Sequence, residues 1–190
     1  MERRKLLLAG VGITLGGCAE QSPVNLREAG WRIELKETPQ TTQHAVSFSV
    51  SAVDEYATKS SPPKLRFELT NEGPQSQSVG LVGHGVPPTR RSTPNGLYLI
   101  PDEMTVEPVS SGTWIPKNEN IVSEPTFSSI SYKELDSNQT ISADCGVWID
   151  PVAETDSYEP GEYQFVSSNM PVLEDSHSLN PSFSLRVFRS

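Results

Sequence analysis

The stretch KLRFELTN, residues 64–71, alternates apolar and polar side chains over its whole length. Leu65, Phe67 and Leu69 occupy every second position, and charged residues stand before and between them. A period of two is that of a β-strand with one face in a core and the other in water. Because strands with one wet face are typical of antiparallel sheets, the stretch predicts an antiparallel, all-β protein.

The same alternation recurs in AVSFSVSA, residues 45–52, and in SFSLRVFR, residues 182–189. Further candidate strands are WRIEL from Trp31, QSVGLV from Gln77, LYLI from Leu97, MTVEPV from Met104, SISYKEL from Ser129, QTISADCGVWI from Gln139 and EYQFVS from Glu162. The 16 prolines and 13 glycines separate them as turns. Many short strands with frequent turns predict one immunoglobulin-like β-sandwich over residues 31–190.

The first twenty residues, MERRKLLLAGVGITLGGCAE, have a different character. Three basic residues, 3–5, precede an apolar run from Leu6 to Leu15 that is much shorter than the roughly 20 residues of a spanning helix. A charged start, a short apolar segment and small residues at the end are typical of an export signal. We therefore expect residues 1–17 to be a cleaved signal and residues 18–30 to be a short tether.

The end of this segment, LGGC, resembles the lipobox of secreted lipoproteins. The resemblance implies that the thiol of Cys18 is alkylated with lipid and that Cys18 becomes the new N-terminus. Arg3 and Arg4, followed by leucines, resemble a twin-arginine signal, although Glu2 stands where Ser or Thr is usual. The implied location is the outer face of the cytoplasmic membrane, with the membrane as a partner through the lipid on Cys18.

The charge of the chain is strongly acidic. It has 24 acidic and 15 basic residues, and removal of residues 1–17 leaves 23 and 12, a formal net charge of −11. This composition argues against a nucleic-acid partner, because nucleic-acid-binding surfaces are basic. Together with the signal, it resembles the lipoproteins of halophilic archaea, whose acidic surfaces serve solubility in strong salt; a mildly acidic, soluble domain is the simpler interpretation.

The cysteine count excludes an internal disulfide once Cys18 carries lipid, because Cys145 is the only other cysteine. Cys145 alternates in register with Ile141, Ala143 and Val147, so we expect it to be buried as a small apolar residue. A reactive thiol or an intermolecular disulfide is the functional alternative.

A second resemblance covers residues 65–188 and concerns three short elements. They are Leu69, Asn71 and Gly73, then Leu135 to Gln139, then Pro160, Gly161, Tyr163 and Phe165, with an exposed region around Trp114 between the first and second. This order is similar to the BsuPI-type proteinase inhibitor domain and related immunoglobulin-like modules. The resemblance implies the sandwich fold and leaves inhibition as an open alternative, because a fold alone does not specify a function.

Motifs of the common enzyme classes are absent from the sequence, including G-x-S-x-G, the P-loop, GxGxxG, HExxH and CxxC. The carboxylates at residues 102–103 and 150–159 are interpreted as solvated loop residues, with weak calcium binding or acid/base chemistry as alternatives. A blue-copper site is rejected because no histidine follows Cys145 before His177, and Met170 precedes that histidine. We therefore expect no cofactor, no metal and no catalytic residues.

Two loops carry the remaining candidate sites. Asn138 begins the only N-x-S/T sequon, NQT, and stands in a predicted turn, so it is a candidate glycosylation site in an exported protein. His84 lies between glycines, and the proline-rich segment that follows carries Arg90 and Arg91. These three residues are candidates for a loop that recognises an anionic group, with solvated side chains as the alternative.

The sequence thus predicts a lipid-anchored, non-enzymatic cell-surface domain that interacts with a protein or has a structural role. A solute-binding or inhibitor-like module is the main alternative, and a hydrolase of unfamiliar design is a more remote one.

Overall fold

The computed structural model describes residues 30–37, 45–82, 91–117, 130–166, 170–172, 177–179 and 181–190, and these residues form an all-β structure. The strands are β1 (Trp31–Glu37), β2 (Val46–Asp54), β3 (Lys64–Asn71), β4 (Gln77–Val82), β5 (Leu97–Pro101), β6 (Pro108–Ser110), β7 (Thr113–Pro116), β8 (Ile130–Leu135), β9 (Thr140–Ile149), β10 (Gly161–Val166), β11 (Met170–Val172), β12 (His177–Leu179) and β13 (Ser182–Arg189). All of the strand pairings are antiparallel, which confirms the predicted fold class.

The strands form three larger sheets and one hairpin. Sheet A has the order β1-β13-β10, sheet B the order β2-β3-β9-β5, and sheet C the order β12-β11-β4-β8, while β6 and β7 pair with each other. Strand β3 is central in sheet B, where Phe67 lies opposite Val50 on one side and Ala143 on the other. The stretch that predicted the fold therefore lies in the middle of its longest sheet.

Aromatic rings join sheet A to sheet B across the core. The ring of Phe67 in β3 meets that of Phe183 in β13 edge to face, with centroids 5.5 Å apart. Phe183 also stacks on Phe165 of β10 at 4.8 Å. All three side chains are buried, and the buried residues of sheet C, such as Val79 and Leu135, belong to the same hydrophobic cluster. Two sheets packed face to face across one core are the defining feature of a sandwich.

The sandwich has two ends, which we name after Gly30 and Asn71. At the Gly30 end the two ends of the described chain are joined, because the amide of Ser190 donates to the carbonyl of Gly30 at 3.0 Å. Trp31 lies at this end too, and its carbonyl accepts a bond from the amide of Ala57. At the Asn71 end, the turns that leave β3 and enter β9 meet, because the amide of Asn71 bonds to the carbonyl of Gln139.

Several details differ from the sequence-based expectations. The strand predicted from Met104 begins only at Pro108, and β7, β11 and β12 were not predicted. The region around Trp114 was expected to be exposed, but the Trp114 side chain is buried. It packs edge to face on Trp148 with ring centroids 5.3 Å apart, and its Nε1 donates to the carbonyl of Thr58 at 2.9 Å.

Strand β5 also departs from the expectation that every strand keeps one wet face, because all five of its residues are buried. Leu97 and Leu99 share one face of β5, and Tyr98 and Ile100 share the other. Tyr98 lies opposite Trp148 of β9, on the side of sheet B where Trp114 packs. The β6–β7 hairpin thus gives this corner of sheet B a second apolar layer.

Candidate functional site

The described residues hold a cleft of about 250 Å³ on the side of sheet B that carries Trp148. Its walls come from the loop before β3, from the end of β5 and from β9. The lining residues are Ser60, Ser61, Pro62, Lys64, Ile100, Pro101, Asp102, Met104 and Trp148. The cleft combines apolar side chains with hydroxyl, ammonium and carboxylate groups, and its volume is smaller than that of most ligand pockets, about 300–1,000 Å³.

An ion pair forms the polar side of this cleft. Lys64 Nζ lies 2.5 Å from Oδ2 of Asp102, and both side chains are about one-third to two-fifths exposed. Asp102 is held in place because its backbone amide donates to the carbonyl of Asp144 at 2.9 Å. Because both side chains are partly exposed, the two charges are accessible to a ligand that carries a carboxylate, an amine or hydroxyl groups. An exposed ion pair of this kind contributes little to the stability of the fold.

The close packing of β9 beside this cleft depends on a glycine. A Cβ on Gly146 would lie 2.6 Å from Nε1 of Trp148 and 2.9 Å from Cγ of Pro62. A Cβ atom essentially never approaches a nonbonded atom this closely, so any larger residue at 146 would displace Trp148 or Pro62. The position and shape of the cleft therefore depend on the absence of a side chain at this position.

A second cluster of polar groups surrounds Asp150, directly after β9. The side chain of Asp150 is fully buried, and its Oδ2 accepts a hydrogen bond of 2.6 Å from Nε of Arg91. Its Oδ1 accepts from the amide of Val152 at 3.1 Å, and its own amide donates to the carbonyl of Gly96. The expectation that this carboxylate is a solvated loop residue is therefore wrong for Asp150.

The segment 91–93 that supplies Arg91 connects sheets A and B. Arg91 bridges to Tyr98 of β5, and Thr93 bridges to Gln164 of β10 through two backbone hydrogen bonds of 2.7 and 2.9 Å. Between them, the buried hydroxyl of Ser92 donates to the carbonyl of Pro94 and accepts from the amide of Leu97. The pair of Arg91 and Asp150 thus fastens this connection to the end of β9.

A third polar cluster is built on Asn71, whose side chain is fully buried at the end of β3. Its Nδ2 donates to the carbonyls of Gln75, Leu135 and Asp136 at 2.7 to 3.1 Å, and its Oδ1 accepts from the amide of Gly73. The first two elements of the predicted BsuPI-like order therefore lie against each other in space. Their contact holds two turns together at the Asn71 end.

Asn138, the predicted glycosylation site, lies in one of these turns. Its side chain is exposed and its φ is 61°, which is in the left-handed region that asparagine tolerates. Its Nδ2 donates to Oγ of Ser137 at 3.1 Å, and its backbone amide donates to the carbonyl of Asn71. The amide nitrogen that a glycan would occupy therefore faces the surface from a fixed backbone.

The other predicted site residues are distributed differently. Cys18, His84 and Arg90 lie outside the described residues. Arg91, which follows Arg90 in the chain, is half-buried, and its Nε is bound to the protein's own Asp150. Cys145 is fully buried, as predicted from its alternation with apolar residues.

Two paired charged residues on the outer face of sheet B have shifted pKa values. Arg66 of β3 binds Asp144 of β9 through two hydrogen bonds of 2.7 and 2.8 Å. These hydrogen bonds lower the pKa of the Asp144 carboxyl below its ordinary 3.8, and raise the pKa of the Arg66 guanidinium. The pair is an ordinary cross-strand contact, so it stabilises the register of β3 and β9.

The described residues contain no group of three or more His, Cys, Asp or Glu side chains arranged to hold a metal ion. They also contain no helix of the length and apolarity needed to cross a membrane.

Comparison with known proteins adds no relative to this description: no family model, no curated protein and no solved structure matches the chain.

Proposed function

We propose that this protein is a lipid-anchored β-sandwich on the outer face of the cytoplasmic membrane, where it acts as a binding or structural module and not as an enzyme. The observation that carries the proposal is the run LGGC at residues 15–18, directly after a basic start and a short apolar run. A lipobox has to stand at this place for the cysteine after the cut to be lipidated. The paired Arg3 and Arg4 make twin-arginine export the proposed route.

The position of the sandwich relative to Cys18 supports this proposal. The described domain begins at Gly30, twelve residues after Cys18, and Gly30 is held at one end of the sandwich by Ser190. A chain of twelve residues spans at most about 40 Å. A lipid on Cys18 would therefore hold the folded domain within about this distance of the bilayer. None of the described strands would be part of the attachment.

The use of the buried polar side chains supports a non-enzymatic role. Asn71, Ser92 and Asp150 are each at most 1% exposed. Their hydrogen bonds join one part of the fold to another: Asn71 joins two turns, Ser92 holds the segment before β5, and Asp150 holds Arg91. Catalytic groups, in contrast, are directed toward a cleft where a substrate can reach them.

The charge of the chain supports an external, water-exposed location and no nucleic-acid partner. A formal net charge of −11 after loss of residues 1–17 repels phosphate backbones. It also keeps the domain in solution at high salt, which is consistent with the resemblance to lipoproteins of halophilic archaea. Because one acyl chain gives only marginal membrane binding, we propose a doubly acylated or diether lipid on Cys18.

The proposal is tested by fractionation of cells that express the wild-type chain or Cys18→Ser, in a host with twin-arginine export and lipoprotein processing. We expect the wild-type protein in the membrane fraction and accessible to protease added to intact cells. Cys18→Ser should leave the membrane fraction, whereas the matched Ser22→Ala variant should remain in it. A Cys18→Ser chain that has lost residues 1–17 and still remains in the membrane fraction would exclude a lipid anchor at this residue.

The cleft beside Trp148 favours one alternative, a solute-binding module. Its volume of about 250 Å³ limits the ligand to a very small molecule, and the pair of Lys64 and Asp102 offers charges for the charged or hydroxyl groups of that molecule. Because Trp148 lines the cleft, its fluorescence should change on binding. A screen of amino acids and monosaccharides against wild type and Asp102→Asn tests this alternative: a signal that saturates in wild type and weakens in the variant would support it, and a flat response in both would count against it.

A further inference from the structure

The two ends of the sandwich differ in how they are connected to residue 18. Strand β1 starts at Trp31 beside the C-terminal residues, because Trp31 lies opposite Arg189 in the register of β1 and β13. The guanidinium of Arg189 lies over the Trp31 ring at 4.9 Å, and the backbone groups of Gly30 and Ser190 are hydrogen-bonded. The chain therefore leaves the sandwich at a fixed point, and that point is at one end of it.

The strands of both main sheets run between the same two ends. In sheet A, Gly161 of β10 pairs with Val187, close to Trp31, and Val166 pairs with Ser182 at the opposite end. In sheet B, the carbonyl of Trp31 binds Ala57 just after β2. The ring of Tyr158, in the connection between β9 and β10, lies 6.4 Å from the Trp31 ring. The connection that follows β9 therefore lies at the Gly30 end.

The opposite end is formed by the turns that Asn71 holds together. Val46 pairs with Asn71 in β3, and Thr70 pairs with Thr140 in β9, so three strands of sheet B end there together. A strand as long as β9, with ten residues, spans about 33 Å. The exposed residues Glu72 and Asn138 are consequently about the length of the domain away from Gly30.

We infer that the sandwich stands end-on at the lipid surface, with its Gly30 end toward the bilayer and its Asn71 end outermost. This inference rests on the proposed anchoring at Cys18. Because the attachment point lies at the Gly30 end, that end stays within reach of the twelve-residue tether, whereas the Asn71 end can lie about one domain length farther out. The turn region at 150–160 then faces the lipid headgroups, and the turns at 71–76 and 135–139 face the external medium.

Charge limits how closely this end approaches the lipid. The exposed acidic residues Glu154, Asp156 and Glu159 lie in the turn region at the Gly30 end. An anionic leaflet repels such a cluster within about a Debye length, 8 to 10 Å at moderate salt. We therefore expect the Gly30 end to be held near the bilayer by its tether and not by contact with the headgroups, and to move closer to the surface when salt is added.

The inference is tested by energy transfer from a fluorophore on the protein to an acceptor lipid in vesicles. Asp156→Cys and Glu72→Cys place a single label at the Gly30 end and at the Asn71 end, respectively, and each removes one exposed acidic side chain. Cys145 is fully buried and should not react in the folded protein. With the lipidated protein in vesicles, we expect transfer from position 156 to exceed transfer from position 72 by several fold.

A second form of the protein separates this inference from the proposed anchor. The Cys18→Ser chain with a hexahistidine tag directly before residue 18 is held at the same residue on vesicles that contain a nickel-chelating lipid. If the transfer from position 156 exceeds that from position 72 in this form, the end-on arrangement stands even where the native protein proves not to be lipidated. Equal transfer from the two positions, or stronger transfer from position 72, would overturn the arrangement and leave the anchor to be judged by fractionation.

Discussion

Nε of Arg91 donates a hydrogen bond of 2.6 Å to Oδ2 of Asp150, whose side chain is fully buried although the two residues are 59 positions apart in the chain. The bond joins the segment before β5 to the end of β9. Strands β5 and β9 are neighbours in sheet B. It also accounts for a carboxylate inside an acidic protein, where charge repulsion would otherwise favour its exposure. A buried charge is retained only where it is paired and hydrogen-bonded.

The first prediction concerns this pair. Asp150→Ala leaves the half-buried guanidinium of Arg91 without its carboxylate and removes the acceptor for the amide of Val152. We expect the free energy of unfolding to fall by about 3 kcal/mol, the lower end of the cost of breaking a buried pair, because Arg91 keeps 23% exposure. Urea denaturation followed by tryptophan fluorescence measures the change.

Two control variants make this result specific. Asp150→Asn keeps the shape and the acceptor for Val152 and should cost less than alanine. Asp156→Ala changes an exposed acid in the same turn region and should have almost no effect. Equal losses for Asp150→Ala and Asp156→Ala would contradict the structural role of the pair.

The second prediction concerns the amide of Asn71. Asn71→Ala leaves the carbonyls of Gln75, Leu135 and Asp136 without their shared donor at the end of the core. Each buried group without a partner costs about 1–3 kcal/mol, so we expect a loss of at least about 2 kcal/mol. The matched variant Thr70→Ala removes one exposed hydroxyl pair with Thr140 and should cost less than about 1 kcal/mol.

Hydrogen exchange gives an independent measurement for Asn71. Loss of the amide should increase exchange at the backbone amides of Gly73 and Asn138, which lie in the two turns that it joins. Unchanged protection of both amides in a folded Asn71→Ala protein would show that the turns are held by other contacts.

The third prediction is a loss of stability at alkaline pH. Burial raises the pKa of Tyr158 well above 10.0, and its hydroxyl donates to the carbonyl of Val147 at 2.6 Å. A group with a raised pKa in the folded state stabilises the fold fully below its unfolded pKa of about 10, and this stabilisation decreases as the pH rises above that value. We expect the part of the phenolate absorbance that comes from Tyr158, the difference between wild type and Tyr158→Phe, to appear together with loss of tertiary structure and not before it.

The variant Tyr158→Phe distinguishes this mechanism from general alkaline unfolding. It should lower stability by about 1 kcal/mol at neutral pH, through loss of the bond to Val147, and should flatten the decline above about pH 10. Some decline should remain, because burial raises the pKa of Tyr163 too. An alkaline slope identical to that of the wild-type protein would refute the assignment to Tyr158.

The fourth prediction is an acid-sensitive contribution from the pair on the open face of sheet B. The hydrogen bonds from Arg66 lower the pKa of Asp144, so the pair stabilises the fold above the ordinary pKa of 3.8. This contribution is lost as the pH falls through the lowered pKa. Asp144→Asn should be less stable than wild type at neutral pH, and the difference should decrease as the pH falls through the lowered pKa.

Arg66→Gln removes the same pair from the other strand and provides the matched control. The double variant should be no less stable than the single variants, because the interaction is already absent in each of them. Since the Arg66 side chain is exposed and that of Asp144 is partly exposed, added salt should reduce the difference at neutral pH. A difference between wild type and Asp144→Asn that does not decrease as the pH falls would rule out the ion pair as its source.

The alternation of side chains allowed the core of the fold to be predicted from the sequence. Leu65, Phe67 and Leu69 point into the core as expected, because burial in an antiparallel sheet repeats every second residue. The burial of Trp114 could not be predicted in this way, because it depends on the packing of the β6–β7 hairpin against Trp148. No pattern in the nearby sequence indicates which strand of a sheet a hairpin will pack against.

The polar clusters were harder to predict from the sequence than the core or the burial of Trp114. Asp150 stands in an acidic segment where a solvated side chain is the ordinary expectation, and its partner Arg91 comes from a distant segment. The proline-rich surroundings of Arg91 suggested a recognition loop, and no residue near it in sequence indicated the pairing. Asn71 was singled out by resemblance, but its contacts with Leu135 and Asp136 follow from the packing of two turns.

The proposal that Cys18 is the lipidated first residue of the mature protein is tested by the mass of the N-terminal peptide of protein purified from membranes. We expect a peptide that begins at Cys18 and carries the added mass of a diacyl or diether lipid, and that is absent from the Cys18→Ser protein. A peptide that begins at Met1, or an unmodified thiol at Cys18, would contradict the anchor and with it the proposed location at the cell surface.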